Sequence, residues 1–353
     1  MLDAKLYIEC ALFVDFCLPL HEPKLFAMHI GTPTLRSLIL LHLFICVASH
    51  AQNTLSQRID SLLEQGYLRA NIDTDYVVRP QEKWTLTGRL NISGAQIGIE
   101  GVENGQPFVS EMTAAHKVTL SIGLSYLGYS FSVALNPAKL LGHYRDYELN
   151  FQSYGKRFGF DIAYQDAHNF TGWHEVKGQE RTILPADMLA LKTLNLNTYY
   201  IFNHRRFSYP AAFASSYIQH RSAGSFMLAA SGQGQQGMTS GSQKSRFSMM
   251  NIGIGAGYGY NYVPAQSWLL HLSALPTFIV YSATSFTYDD ISVPLHYHFP
   301  EVIITSRGAI VYQMGKTFAG LSMVFNFTNI GNEEKLMVKN LKWRARLFYG
   351  VRL

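Results

Sequence analysis

Residues Lys117–Tyr126 alternate strictly between polar and apolar side chains. Successive side chains of a β-strand point to opposite faces, so this alternation predicts a strand with one apolar and one polar face. The apolar face carries Val118, Leu120, Ile122, Leu124 and Tyr126. After the short connection 127–128 the pattern resumes at Tyr129 with the opposite parity, which a tight hairpin requires.

The same alternation recurs along most of the chain and predicts about twelve antiparallel strands. They lie at 84–94, 116–126, 129–136, 147–154, 157–165, 194–203, 222–231, 247–262, 267–283, 299–314, 317–328 and 341–353. Long connections are predicted at 95–115, 137–146, 166–193, 232–246, 284–298 and 329–340, and short ones at 127–128, 155–156, 263–266 and 315–316. Long loops on one side and short turns on the other are typical of bacterial outer-membrane barrels. The connection 204–221 breaks this rule, because it is long and falls on the side of the short turns.

The composition bears on which kind of β-protein this is, since a secreted soluble β-protein also alternates. Charged residues make up 15% of the chain and aromatic residues 13%. Soluble domains carry roughly 25% charged residues, so this surface is poor in groups that favour water. Trp84, Trp268 and Trp343 fall near predicted strand ends, where a membrane barrel places its aromatic girdle. We therefore predict an all-β chain that forms a transmembrane antiparallel β-barrel, with an insert at 204–221 that lies in the lumen or in the periplasm.

The beginning of the chain predicts export. Arg36, the apolar run 38–47 and Ser49-His50-Ala51 follow one another in the order of a signal peptide and its cleavage site. Met28 is then the predicted start, which makes 1–27 a mis-assigned start and 28–51 a cleaved signal peptide. The segment 52–80 is predicted to be a periplasmic lead, and 81–353 the barrel.

Export of a barrel predicts the outer membrane of a Gram-negative cell. The expected partners are outer-membrane lipid and the barrel assembly machinery, and the weak basic charge of the chain does not indicate nucleic acid. The three cysteines, Cys10, Cys17 and Cys46, all precede the predicted cleavage site, so the mature chain is predicted to have neither disulfides nor thiol chemistry.

The polar face of the predicted strands carries more basic than acidic side chains. The predicted lumen-lining residues are Arg89, Lys117, Glu148, Arg157, Asp161, Arg307, Arg344 and Arg346. An open pore with this lining is predicted to prefer anions. The alternative is that the charges pair across the lumen and fill it, because twelve strands enclose a narrow interior.

The stretch RRFSYPAAFASSYIQHRSAGSF, Arg205–Phe226, concentrates polar, basic and aromatic residues. Pro210 and the alanines around it suit a bend or a short helix better than a regular strand. We predict that this insert folds into the lumen as a plug, with room left by the glycines of 253–259, and that its arginines pair with Glu148 or Asp161. The candidate plug residues are Arg205, Arg206, Ser208, Tyr209, Pro210, His220 and Arg221. The alternative is that 206–217 extends the neighbouring strands into the periplasm.

A catalytic interpretation of the same stretch would use a serine as nucleophile, a histidine as base and an arginine as an electrostatic clamp. The candidates are Ser208, Ser215, Ser216 or Ser222 with His204 or His220. Outer-membrane phospholipases pair a serine and a histidine on the lipid face with an asparagine that orients the base, and no His-x-Ser-Asn arrangement is expected here. We therefore predict no catalytic residues and no cofactor. His296 and His298 alone make too few ligands for a metal site, so no metal is predicted either.

Several motifs together resemble a known family. They are Arg79-Pro80 leading to Trp84, YGKRFGFD at 154–161, RRFSYPAAF at 205–213 and QHRSAGSF at 219–226. In this combination the chain is similar to the DUF4421 family of uncharacterised outer-membrane proteins of the Bacteroidetes. The resemblance covers most of the predicted mature chain and implies a membrane barrel, but no activity, substrate or catalytic residue.

These observations together predict a passive role. The first prediction is a narrow or gated channel, or a structural envelope protein. The alternatives are a membrane-embedded lipid hydrolase and a secreted soluble β-protein.

Overall fold

A computed structural model of the protein describes residues 61–62, 64–65, 71–103, 105–127, 129–135, 147–168, 170–186, 189–239, 245–288, 291–294, 301–332 and 336–353. The predicted start at Met28, the predicted signal peptide 28–51 and most of the lead up to residue 70 lie outside these residues. The chain divides into two compact units, Met1–Leu62 and Leu63–Leu353. Of the first unit only Ser61 and Leu62 are described, and both are helical. The elements below belong to the second unit.

The second unit consists of antiparallel strands with one short helix. The strands are β1 (Val77–Val78), β2 (Trp84–Glu103), β3 (Gln106–Ala114), β4 (Lys117–Tyr126), β5 (Tyr129–Leu135), β6 (Tyr147–Tyr154), β7 (Phe158–Ala167), β8 (Phe170–Val176), β9 (Thr182–Leu184), β10 (Leu189–Ile201), β11 (Ile218–Gln219), β12 (Ala223–Thr239), β13 (Ser245–Ala265), β14 (Trp268–Tyr288), β15 (Ile291–Pro294), β16 (Val302–Met314), β17 (Thr317–Asn332) and β18 (Leu336–Arg352). The helix is α1 (Tyr209–Phe213).

Strand pairing connects nearly all strands into one sheet. The order runs β6, β7, β10, β12, β13, β14, β16, β17, β18 and β2. Beyond β2 the sheet splits, because residues 84–93 of β2 pair with β4 while residues 96–103 pair with β3. β3 pairs in turn with β8, which follows β7 directly in the chain. These ladders join the strands into one curled antiparallel sheet, and the all-β antiparallel barrel predicted from the sequence is confirmed.

The strands are longer than the alternation predicted. The predicted loop 95–115 is the upper half of β2 together with β3, and the predicted loop 166–193 contains β8, β9 and the start of β10. The glycine- and glutamine-rich residues 231–239, predicted to be loop, continue β12. The prediction failed here because these segments lack a regular apolar face towards lipid; where they alternate, as at Ala95 and Ile97, the apolar side chains are buried inside. Their backbones nevertheless pair on both sides, Gln235 with Thr193 and with Met249.

The outer face of the strands is apolar. The even-numbered side chains of β4 from Val118 to Ile122 are exposed, while the odd-numbered ones from Lys117 to Ser125 are buried. Soluble proteins rarely expose contiguous apolar patches larger than a few hundred Å², whereas this face continues around the ring. It carries exposed Leu149, Phe158, Leu194, Phe226, Leu228, Ile254, Leu272, Val280, Leu321 and Leu347. Such a face fits lipid, as the predicted transmembrane barrel requires.

Aromatic pairs mark the end of the ring that carries the short turns, called here the turn end; the opposite end is the loop end. Trp84 contacts Tyr126 with ring centroids 4.4 Å apart, and Trp268 contacts Tyr312 at 4.7 Å. Both pairs lie at the turn-end termini of their strands, as a girdle requires. Trp343 differs from the prediction, since it lies in the middle of β18.

Among the described residues, no helix combines the length and the apolarity needed to cross a bilayer.

The inward side chains form three layers. An apolar layer at the turn end includes Tyr154, Tyr199, Ile201, Met227, Leu269, Val311, Phe318 and Phe348. A second apolar layer at the loop end includes Ile97, Ala114, Phe170, Leu189 and Leu191. Between them lies a polar layer with Asn91, Asp161, Thr193, Asn195, Gln233, Asn251, Arg307 and Asn326.

Candidate functional site

The insert at 204–221 lies inside the barrel. Every residue of its central part, 207–217, is buried. The helix α1 begins after Ser208, whose hydroxyl accepts a hydrogen bond from the backbone N–H of Ala211 at 3.3 Å, and Pro210 lies in its first turn. Proline fits there because no intrahelical partner exists for its missing N–H. The alternative of an extension into the periplasm is therefore wrong for 207–217.

Glycine makes room for the insert at one position of β13. A Cβ atom on Gly259 would lie 3.0 Å from Cζ of Phe207 and 3.3 Å from Sδ of Met227. The neighbouring Gly255 and Gly257 were expected to serve the same purpose, but they do not. A Cβ on Gly255 would lie 2.1 Å from Pro276 O, and a Cβ on Gly257 would lie 2.0 Å from Ala274 O. These glycines therefore permit the close approach of β14 instead.

The lead segment holds the insert at the turn end. Strand β1 pairs with β11, and Val77 is completely buried in the apolar cluster that contains α1. Asp73 Oδ2 forms a salt bridge with Arg206 Nε at 2.9 Å. The backbone N–H of Asp73 donates a hydrogen bond to Arg205 O at 3.0 Å. The arginines of the insert were expected to pair with Glu148 or Asp161. Arg206 pairs with Asp73 instead, because it lies outside the lumen.

The last barrel strand holds the other end of the insert. Arg352, buried at the end of β18, donates to Ser215 O from Nε at 3.2 Å and from Nη2 at 3.1 Å. It also donates to Gln313 Oε1 at 2.7 Å and to Gly315 O at 3.2 Å. Ser215 has a positive φ of 53°, a conformation that is unfavourable for serine. Arg352 therefore stabilises the bend that follows α1.

An ion pair crosses the lumen above the insert. Asp161 on β7 and Arg307 on β16 are buried and form a salt bridge. Their strands are far apart in the sheet, since five successive strand pairings lead from β7 to β16. Arg307 Nη1 also donates to the hydroxyl of Tyr209 at 3.0 Å. Asp161 Oδ1 and Arg307 Nε have no hydrogen-bond partner among the groups that the structure describes. The pair thus joins two walls of the barrel to α1.

A chain of buried hydrogen bonds continues from Tyr209 into the wall. The Tyr209 hydroxyl lies 3.2 Å from Ser273 Oγ, which lies 3.0 Å from His271 Nε2. His271 Nδ1 lies 2.7 Å from Asn261 Oδ1. Tyr209 belongs to the insert and the other three side chains belong to the barrel wall, so the wall positions α1 through polar contacts as well as through packing.

The donors and acceptors of this chain follow from its far end. Asn261 Nδ2 donates to Ser208 O at 2.9 Å and to Gln219 Oε1 at 3.0 Å, which turns its Oδ1 towards His271. An amide oxygen only accepts, so His271 carries its proton on Nδ1. A buried imidazole that has no carboxylate partner is neutral. Its Nε2 therefore accepts the Ser273 proton, and Ser273 Oγ accepts from Tyr209.

Sequence analysis missed this group. It expected no His-x-Ser-Asn arrangement, and that expectation is wrong, because His271-Leu272-Ser273 lies opposite Asn261 across the β13–β14 hairpin. The signal was present: a spacing of two residues places both side chains on one face of a strand. The catalytic candidates predicted at 204–222 belong to the insert, whereas these three residues belong to the wall that the insert contacts.

The polar layer lines a pocket next to the ion pair. Its lining includes Gln152, Asp161, Asn195, Arg307, Lys342 and Arg344. Arg344 Nη2 donates to Asn150 Oδ1 at 2.7 Å, and Arg346 donates to Asn91 Oδ1 at 2.9 Å. Arg89 and Lys117 are also inward and buried. Six of the predicted lumen-lining residues, Arg89, Lys117, Asp161, Arg307, Arg344 and Arg346, thus face the interior.

The other predicted site residues lie elsewhere. The side chain of Glu148 lies outside the described residues. Arg157 was predicted to line the lumen, but it precedes β7 and is exposed at the turn end, where Nε donates to His204 Nε2 at 3.0 Å. Of the candidate plug residues, Ser208, Tyr209 and Pro210 are buried in the lumen. Arg205, Arg206, His220 and Arg221 are exposed at the rim.

Basic side chains gather at this rim. Lys156 donates to Asn71 O at 2.7 Å. Burial, and then the positive charges of Arg79, Arg157 and Arg205, lower the pKa of Lys156 to about 7. Burial and the charge of Arg157 also lower the pKa of His204. The rim therefore contains a lysine that loses its charge near neutral pH.

The lowered pKa of Lys156 makes the stability of the barrel depend on pH. Between about pH 7 and 10.5 the unfolded chain binds a proton that the folded chain has released, so the free energy of unfolding rises with pH in this window. Lys156→Gln is expected to stabilise the protein at pH 6 and to have little effect at pH 10.5. Urea unfolding at both pH values tests this, with the exposed Lys177→Gln as the control. An equal effect of Lys156→Gln at both pH values would contradict it.

Comparison with known proteins identifies a family. The model described as "Domain of unknown function (DUF4421)" matches residues 71–353, so the family predicted from the motifs is confirmed. No curated protein matches the chain.

Solved structures similar to this chain are outer-membrane proteins. The outer membrane protease OmpT from Escherichia coli has 6% identity and a TM-score of 0.42, over 80% of this chain and 100% of that one. OprG from Pseudomonas aeruginosa has 10% identity and a TM-score of 0.28, over 76% and 96%. The toluene transporter TodX from P. putida has 8% identity and a TM-score of 0.26, over 78% and 91%. Such low values transfer neither activity nor ligand to this chain.

Proposed function

The chain belongs to the DUF4421 family, whose description assigns no activity, and from the geometry of the lumen we propose that it is a gated passive channel held closed by its own insert. The observation that carries this proposal is the burial of α1 among inward side chains of β6, β14 and β16. The insert fills the turn end of an interior whose middle layer is polar. A solute that crosses the barrel has to displace it.

The contacts of the insert favour a gate over a permanent seal. Residues 207–217 lie between the exposed residues 205–206 and 220–221, and polar contacts with Arg307, Asn261 and Arg352 accompany the apolar packing. Water can replace such hydrogen bonds when the insert moves, so the neutral one contributes about 0.5–1.5 kcal/mol net and each of those from an arginine about 1.5–3 kcal/mol. A structural envelope protein, the second candidate, would need no polar pocket behind its plug.

The charges that line the lumen favour one class of solute. Arg89, Lys117, Arg307, Arg344 and Arg346 face the interior, and they outnumber the buried acidic residues Asp161 and Glu301. An open state would therefore favour anions. The lipid-facing surface and the predicted signal peptide support a Gram-negative outer membrane, with the turn end and the lead segment in the periplasm.

Removal of the insert is expected to open the channel. Ile201 pairs with Met227, and the Asn203 N–H donates to Ser225 Oγ at 2.8 Å, so the β10–β12 hairpin can close directly at 203 and 225. Replacing residues 204–224 with Asn-Gly supplies a two-residue hairpin turn. We expect discrete, anion-favouring conductance steps in a planar bilayer from this insert-less variant, and none from the wild-type protein.

Arg205→Gln is the matched control, because it changes an exposed side chain of the insert and leaves α1 in place. It is expected to remain closed. A correctly folded insert-less variant that does not conduct would contradict the gate and favour a structural role.

A further inference from the structure

Ser273, His271 and Asn261 have the geometry of a serine hydrolase triad. Ser273 Oγ lies 3.0 Å from His271 Nε2, and His271 Nδ1 lies 2.7 Å from Asn261 Oδ1. A catalytic serine needs a base within about 2.6–3.2 Å and a third group that orients the base. Both distances meet that requirement. The protonation of Nδ1 that Asn261 imposes leaves Nε2 free to take the serine proton.

The three residues are held on rigid elements. His271 and Ser273 lie two residues apart on the inward face of β14, and Asn261 lies directly opposite His271 on β13. All three are buried, so their rotamers are fixed by packing. A site on neighbouring strands keeps its geometry better than one on loops.

The hydroxyl of Tyr209 occupies the place where a reacting oxygen would lie. It is 3.2 Å from Ser273 Oγ and 3.0 Å from Arg307 Nη1. A hydrolase needs a position about 3 Å from both its nucleophile and a donor that stabilises the oxyanion. Ser273 and Arg307 are cross-strand partners on β14 and β16, so this position is built into the wall. In this structure the insert fills it.

We propose that Ser273 and His271 are the nucleophile and base of a site that hydrolyses carboxylic esters, that Asn261 positions the base, and that the insert covers this site with Tyr209. When the insert moves, the Tyr209 hydroxyl leaves this position and the carbonyl oxygen of the ester takes it. The pocket beside Arg307 carries Lys342 and Arg344, which favours esters of polar or anionic compounds.

The reaction needs no oxidant or cofactor. Ser273 Oγ attacks the carbonyl carbon and forms a C–O bond while its proton passes to His271 Nε2, and Arg307 Nη1 donates to the oxyanion. Collapse of this intermediate breaks the bond to the leaving alcohol, which takes the proton from His271. Water then attacks the acyl-serine, gives a proton to His271, and releases the acid as Ser273 regains its proton.

This inference shares one premise with the proposed channel, namely that the insert can leave the lumen. The two are otherwise independent, and the insert-less variant separates them. Conductance without serine reactivity would leave the channel standing and overturn the hydrolase. Serine reactivity without conductance would leave the hydrolase standing and overturn the channel.

The first test is labelling with a fluorophosphonate, which forms a phosphorus–oxygen bond to an activated serine and releases fluoride. Tyr209→Ala and the insert-less variant are expected to be labelled at Ser273, as located by mass spectrometry of the peptide. Adding His271→Ala should slow the labelling about 100-fold or more, because a general base contributes at least that factor. Ser225→Ala, at a second buried lumenal serine, is the control and should keep the label.

The insert-less variant decides the test if Tyr209→Ala does not fold. It should also hydrolyse p-nitrophenyl acetate, and lose this activity with Ser273→Ala. A folded insert-less barrel that is labelled no faster than its Ser273→Ala form would overturn the proposal. So would a label on another serine.

Asn261 is tested by rescue. In the insert-less barrel Asn261→Ala is expected to slow labelling of Ser273, and Asn261→Asp is expected to restore it, because a carboxylate oxygen also accepts the Nδ1 proton of His271. Equal labelling in all three forms would remove Asn261 from the site.

Discussion

Replacing Asp161 with Leu is expected to destabilise the barrel by about 3–5 kcal/mol, since removal of one partner leaves the other charge of a buried pair without compensation. Arg307 is 2% exposed and lies between β7 and α1. Its remaining neutral partner, the Tyr209 hydroxyl, does not neutralise a guanidinium. Arg307→Met should be similarly costly, because it leaves the carboxylate of Asp161 in the same environment.

The double replacement Asp161→Leu, Arg307→Met is the control that separates charge from packing. Apolar residues of similar volume in place of a buried pair are often neutral or stabilising, so we expect the double variant to recover most of the lost stability. Urea unfolding of the three variants in detergent micelles, followed by tryptophan fluorescence, measures this recovery. Additive losses in the double variant would show that the side chains act through packing and not through their charges.

Replacing Leu120 with Arg is expected to prevent folding into lipid. Leu120 is 52% exposed on the outer face of β4, and an arginine on the lipid-facing side of a barrel strand costs about 2–4 kcal/mol near the bilayer midplane. The measurement is the yield of folded protein in liposomes, read from its resistance to protease. Leu120→Phe keeps the position apolar and should fold normally.

The opposite result would change the assignment of the faces. If Leu120→Arg folded with the wild-type yield, this part of the outer face would not be in contact with lipid. The same substitution tested at Leu228, which is 53% exposed on β12, would then show whether the conclusion applies to one strand or to the ring.

The alternation of side chains determined the fold class and the faces of the strands. Leu120 and Ser121 face opposite ways because each residue of a strand turns the side chain by half a turn, and this geometry is local. Pro210 likewise marked the insert as irregular, since its missing N–H and fixed φ exclude a regular central strand. Both features follow from neighbouring residues and need no knowledge of distant ones.

The tertiary structure alone decided which distant groups meet. Arg307 meets Asp161, and Ser273 meets Tyr209, because the register of the ladders and the curl of the sheet bring those strands and the insert around one narrow lumen. The same ladders made strand out of the polar residues 231–239, since backbone hydrogen bonds form whatever the side chains are. The pattern of side chains can be read along the chain. Which side chains meet across the lumen depends on the register of every pair of strands that lies between them.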